Sequence, residues 1–273
     1  MSEPFFQFPL CALSSPASER ERLNQIISFC CLEVGKLQWE KFSEREKNLR
    51  RQDRLGLISC ICGMDLTNDA HQQVFVGAEL LEIKILNVRV IIAEHERLAT
   101  FVREFEQKHG RDVQVRVATK FVFEACYNKG MSYQELAVLT GIYGKIGAAK
   151  GPVRITREEI WRRALGFKSM QVFSMEMQDR QAWITPRQVR SIIERLHERG
   201  FFARLTFARR ETFYSHRITA KQLADDICFQ KVQRHLARQA RMRANDALTK
   251  RIQAARQSIA ARDAAPDAAH RAT

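Results

Sequence analysis

Arginine supplies the chemistry that stands out in this chain. Arg187, Arg190, Arg204, Arg209, Arg210 and Arg217 all fall within one stretch, ITPRQVRSIIERLHERGFFARLTFARRETFYSHRI, from Ile184 to Ile218. A guanidinium stays charged at any working pH. It offers five N–H donors in a flat fork, which suits phosphates, carboxylates and the N7/O6 edge of guanine. Such groups act only if something rigid aims them, so the elements around them matter next.

Thr185 is a good N-cap, Pro186 suits the first helical position, and Gln188 completes a capping box. Val189, Ile192, Ile193 and Leu196 fall at helical spacing on one face, and Gly200 stands where a left-handed stop is wanted. Arg187, Arg190, Ser191 and Glu194 then lie on the opposite face, at i, i+3, i+4 and i+7. Residues 201–207 and 212–218 are aromatic, β-branched and apolar, which predicts two strands, with 208–211 as a basic hairpin tip. Arg204, Arg209, Arg210 and Arg217 belong to this hairpin, opposed only by Glu211. Phe207, Phe213 and Tyr214 interleave with them and are expected to pack more than to stack on bases.

The formal net charge of +14 and a pI near 9.8 ask for a polyanionic partner. No run approaches the roughly 18 apolar residues of a spanning helix, so no membrane partner is expected. The segment MSEPFFQFPLCALSSP lacks a basic start and is broken by Pro4, Gln7 and Pro9, which makes it a poor signal peptide. The seven cysteines are read as reduced thiols. Cys60 and Cys62 are one residue apart, and His71 has no companion, so structural zinc is not expected. Cytoplasmic residence and no cofactor follow as expectations.

Along the chain, capping boxes recur at Ser18–Glu21, Ser43–Glu46, Ser132–Glu135, Thr156–Glu159 and Thr219–Gln222. The first opens a helix with Leu23, Ile26, Ile27, Cys30, Val34 and Leu37 inward; the second opens a charged helix with a solvated face. Helices are predicted over 69–82 and from about 87 to 109, the latter with Val90, Ile91, Leu98, Phe101, Val102 and Phe105 inward. Residues 1–110 thus read as an all-helical region for packing or partner contact. Residues 113–129 carry another helical pattern, with Val117, Phe121, Val122 and Ala125 inward. A helix start at 132–141 precedes a loop spaced by Gly141, Gly144, Gly147 and Gly151. A helix over 156–166 and a helical turn within 168–183 complete the approach to Thr185.

Enzymatic patterns fail on spacing. GIYGKIGAAKG lacks the Gly-Lys-Ser/Thr of a P-loop and the GxGxxG of a dinucleotide loop. No His-x-His, HExxH, GxSxG or paired carboxylates occur, and the Tyr214/His216/Arg217 group lacks the partners of a strand-joining site. No catalytic residue, metal ligand or small-molecule substrate is evident. Beyond the hairpin, a helix from about 219 carries Leu223, Ile227, Val232 and Leu236 and becomes strongly basic. Lys231, Arg234, Arg238 and Arg241, followed by Arg243, Lys250, Arg251 and Arg256, suit a phosphate-tracking arm.

On these residues, 113–218 resembles a winged-helix DNA-binding domain: helices over 113–129 and 156–166, a recognition helix over 186–199, a wing over 201–218, and 131–151 as an added helix and loop. The fold expected is mainly α, with a helical region (1–110), the winged-helix domain with its β-hairpin wing (111–220), a basic C-terminal helix (221–260) and a disordered tail (261–273). The resemblance implies sequence-selective binding of double-stranded DNA, as in transcription regulators and replication initiators of plasmids or phages. Arg187, Arg190 and Ser191 would read bases on the face they share with Glu194, or Thr185, Arg187 and the first-turn amides could equally hold a phosphate; Arg209 and Arg210 would reach the neighbouring groove, and the basic helix would hold phosphates. A homodimer is compatible with this. The competing classes are a protein-interaction module with an acidic partner and a DNA-processing protein of a mobile element.

Overall fold

Short-range cap signals set most of the helix starts. Ser18, Ser132 and Thr185 each accept from the amide three residues on, while the side chain there reaches back to the cap amide. The computed structural model describes residues 5–53, 65, 68–81, 87–110, 114–118, 130–147, 149, 151–178, 180–207 and 211–269. The chain is mainly helical, with a small three-stranded antiparallel sheet and one further strand pair among the described residues.

In order, β1 (Phe5–Pro9) runs into a 3-10 turn (Leu10–Ser14), then α1 (Glu19–Trp39), α2 (Glu44–Asp53), α3 (Asp69–Leu80) and α4 (Val88–His109). Strand β2 (Gln114–Ala118) precedes α5 (Tyr133–Ile146), β3 (Val153–Arg154), α6 (Arg157–Ala164) and α7 (Met170–Glu176). Helix α8 (Pro186–Glu198), strands β4 (Ala203–Phe207) and β5 (Glu211–Ser215), and α9 (Ala220–Ala269) complete it. Met1–Ala220 forms one compact unit and Lys221–Thr273 another. Among the described residues no helix is long and apolar enough to cross a membrane.

Two expectations are corrected near the N-terminal half. Residues 114–118 form a strand, not part of a helix over 113–129, and β1 puts a strand inside the region read as all-helical. The pair is antiparallel, with Phe8 opposite Val115 and Phe6 opposite Val117. Val113, Val115 and Val117 alternate with polar residues, a period of two that suits a half-buried strand. Val117 is fully buried; Phe121, Val122 and Ala125 lie outside the described residues, as do Cys60 and Cys62. Inside α1 and α4 the buried faces are also shifted. Leu37 and Val90, expected inward, are exposed, whereas Cys31, Gly35 and Trp39 are buried. On α1 the cause is its crossing with α3, whose backbones meet at Gly35 and Gly77: a Cβ on Gly77 would stand 1.8 Å from the Cys31 carbonyl oxygen, and one on Gly35 1.8 Å from that of Gln73.

The expected glycine loop after residue 140 is instead helix as far as Ile146. Ile142, Tyr143 and Ile146 recur at helical spacing and are buried. Gly141 lets α6 approach: its Cβ would lie 3.2 Å from the Ala164 nitrogen and the Arg163 Cβ. One apolar core then runs from Phe8, Leu10 and Leu13 through Leu98 and Leu136 to Ile160, Leu196 and Tyr214. The sheet order is β3-β5-β4, so the hairpin β4–β5 is anchored through its second strand to β3, just ahead of α6. Helix α9 is continuous to Ala269, past residue 260 where a disordered tail was expected to begin.

Candidate nucleic-acid interface

Helix α8 is a two-faced element. Val189, Ile192, Ile193 and Leu196 are 0–2% exposed, while Arg187, Arg190 and Ser191 on the other side are open to solvent. The apolar face sits on α5 and α6. Burying those four side chains stabilises the docked helix by roughly 1.5–3 kcal/mol each, so its orientation is firmly set. Two polar ties fix it further. Glu135, buried at the start of α5, meets Arg195 at 3.4 Å and Arg199 at 3.5 Å. The Tyr143 hydroxyl donates to the Phe201 carbonyl at 2.7 Å, just past the Gly200 stop with its φ of +77°. Sequence reasoning saw Glu135 only as a cap residue. Arg195 and Arg199 at i, i+4 on the same helix were the missed signal for an acidic partner.

The outward face is less uniform than the spacing suggests. Arg187 makes no hydrogen bond or ion pair among the described residues. Arg190 pairs with Glu194 at 3.3 Å, and Glu194 is half-buried. An exposed i, i+4 pair is worth about 0.3–0.5 kcal/mol. A bidentate guanine contact is worth about 1–3 kcal/mol, so the pair does not hold Arg190 back from a base edge. Thr185 is exposed, but its hydroxyl is engaged in the cap: it donates to Gln188 Oε1 at 2.8 Å and accepts the Gln188 amide at 3.3 Å. The first-turn amides are therefore better placed than this hydroxyl to meet a phosphate.

On the hairpin, Arg204 stands opposite Tyr214 and is half-buried, with its Nε enclosed and without an acceptor among the described residues. Its charge opposes the rise that burial imposes on the Tyr214 hydroxyl pKa. Glu211 bridges to Arg154 on β3 at 3.3 Å. Arg209 and Arg210 lie outside the described residues. Arg217 is exposed, with its Nε 3.4 Å from the His216 ring and its amide donating to the Ser215 hydroxyl. Phe213 and Tyr214 are buried, in keeping with packing rather than stacking on a partner.

His216 sits against Tyr143, ring centroids 5.4 Å apart, and burial, then the Arg217 charge, pushes its pKa below the usual 6.5. The folded state thus binds that proton less readily than the unfolded chain. Stability from this group is intact above pH 6.5 and declines as the pH falls from there toward the depressed folded value. The expected result is a wild-type urea midpoint that drops on acidification below pH 6.5, with a shallower drop in His216→Gln; parallel curves would refute it.

In the second unit, Lys231, Arg234, Arg238 and Arg241 follow a 3-4-3 spacing along α9 and so share one helix side. Arg234, Arg238 and Arg241 are exposed and Lys231 is half-buried. Phe229, Val232 and Leu236 occupy the reverse side, more than half exposed. Comparison with protein-family models, curated proteins and solved structures found no match.

Proposed function

We propose that the chain binds double-stranded DNA with sequence preference, as a regulator of transcription or an initiator of replication of a mobile element. The observation that carries this reading is the division of α8 into a buried apolar face and an outward Arg187/Arg190/Ser191 face, followed by the β4–β5 hairpin. The order helix, strand, helix, helix, helix, hairpin, with β5 central in a three-stranded sheet, supports a winged-helix arrangement with one added helix. In it α5, rather than residues 113–129, is the first helix, and α7 is an addition between the second and third.

On this reading α8 enters the major groove by its N-terminal half. Arg187 and Arg190 would contact guanine edges, Ser191 either base of a neighbouring pair, and Glu194 would exclude phosphate from its side of the helix. The hairpin tip would meet the adjacent groove, and the basic side of α9 would hold phosphates without reading sequence.

Arg187→Ala/Arg190→Ala tests it. Neither side chain contributes to the core, so circular dichroism and melting should be unchanged. Affinity for a preferred duplex is expected to fall by about 1–3 kcal/mol per arginine, with much less change on random duplex. Unchanged preference in the double variant would refute base reading by α8. Absence of any salt-dependent duplex binding by the wild type would favour an acidic protein partner instead.

A further inference from the structure

We propose that the cavity between the turn ahead of α1 and the segment leading into α8 is a binding site for a small organic anion bearing an aromatic ring. The cavity holds about 420 Å³, within the range of roughly 300–1,000 Å³ usual for small-molecule sites. Leu165, Phe167 and Trp183 give it flat apolar walls, and Arg22, Arg180 and Gln181 give it polar ones. Among the described residues none of its lining is acidic.

Both guanidiniums keep their charge available. Arg22 is held by main-chain carbonyls, its Nε donating to Ala17 at 2.9 Å and its Nη1 to Leu13 at 3.4 Å. Its carbon lies 4.9 Å from the Tyr133 ring centroid and 5.2 Å from that of Trp183. Neutral carbonyls and ring faces fix the fork in place without cancelling its charge, which is preorganisation for an anion. Arg180 is more than half exposed at the rim. Glu176, its carboxylate partner among the described residues, lies at 3.8 Å and is already engaged by Lys108 at 2.6 Å and His109 at 2.8 Å. Among the described residues Glu176 is thus shared by Lys108, His109 and Arg180 and does not neutralise Arg180 alone.

The apolar walls decide what kind of anion fits. Leu165 and Phe167 are buried behind the wall, and an inorganic ion would leave the half-buried Trp183 indole and Met177 side chain against water. A ring carrying a carboxylate or a phosphate covers them while its charge meets the two arginines. The Trp183 Nε1–H, buried in this wall without an acceptor among the described residues, is a donor such a ligand can satisfy. The site stands two residues ahead of the Thr185 cap, and the inference does not depend on DNA binding.

Calorimetric titration of the full chain with adenosine monophosphate, benzoate and inorganic phosphate tests it. One of the two ring-bearing anions should bind saturably at one per chain and raise the melting temperature, and the one that does identifies the charged group; inorganic phosphate should not bind. Arg180→Ala, at an exposed position, should weaken that binding by about tenfold or more with the free protein's melting unchanged, and Trp183→Phe should weaken it too. No binding by either ring-bearing anion up to about 10 mM would overturn the proposal. So would equal binding of inorganic phosphate, or an Arg180→Ala protein that binds like wild type.

Discussion

Gly77→Ala is expected to destabilise the protein by about 4 kcal/mol or more, a large share of the 5–15 kcal/mol that holds a typical domain together. The added methyl would sit 1.8 Å from the Cys31 carbonyl oxygen and 2.7 Å from its carbon. Both are main-chain atoms of a packed helix, so no side chain can turn aside. The helices must separate, and separation opens the layer formed by Cys30, Cys31, Val34 and Ala78. Overpacking usually costs about 1–3 kcal/mol because flexible neighbours adjust; here none can. Gly35→Ala meets the Gln73 carbonyl at the same distance and should behave alike. Urea unfolding would measure both. A loss below about 1 kcal/mol would mean that α1 and α3 do not cross backbone to backbone.

The second large effect concerns α9. If Lys231, Arg234, Arg238 and Arg241 each neutralise one phosphate, replacing all four with alanine should flatten the slope of log affinity against log salt by about three and a half. Binding at low salt should fall by orders of magnitude. Alanine is the best helix former, so the helix itself should persist, which far-ultraviolet dichroism can verify. Sequence preference, carried by α8, should survive in the residual binding. An unchanged slope would remove this helix from the DNA-contact account.

Much of this architecture is legible in the sequence where the determinants are local. Ser18 with Glu21, Ser132 with Glu135 and Thr185 with Gln188 each act within one turn, and each starts the helix it announces. The faces of α8 are legible for the same reason: four apolar residues at strict helical spacing leave little choice of what to bury. Strand β2 is harder, because its partner Phe5–Pro9 lies more than a hundred residues away and a short apolar run suits either periodicity. The alternation of Val113, Val115 and Val117 was the available clue. Glycine misled twice. Gly77 reads as a weakness in a helix and Gly141 as the start of a loop, yet both lie inside helices where another backbone comes close. Nothing local distinguishes a glycine that breaks a helix from one that admits a neighbour.

Among the site residues, spacing placed Arg187, Arg190 and Ser191 on the exposed side of α8, where they are found. It did not disclose that Glu135 anchors the same helix through Arg195 and Arg199, nor that Arg204 is half enclosed. Such pairings depend on which helix ends meet in space. They follow from the docking of α5 against α8.

The most direct measurement is selection of bound sequences from a pool of duplexes with a randomised core, run in parallel with the wild type and Arg187→Ala/Arg190→Ala. The wild type is predicted to enrich a defined motif containing guanines. The double variant should retain salt-dependent binding but lose enrichment at those guanine positions. Enrichment of the same motif by both proteins, or of none by the wild type, would contradict base reading by α8.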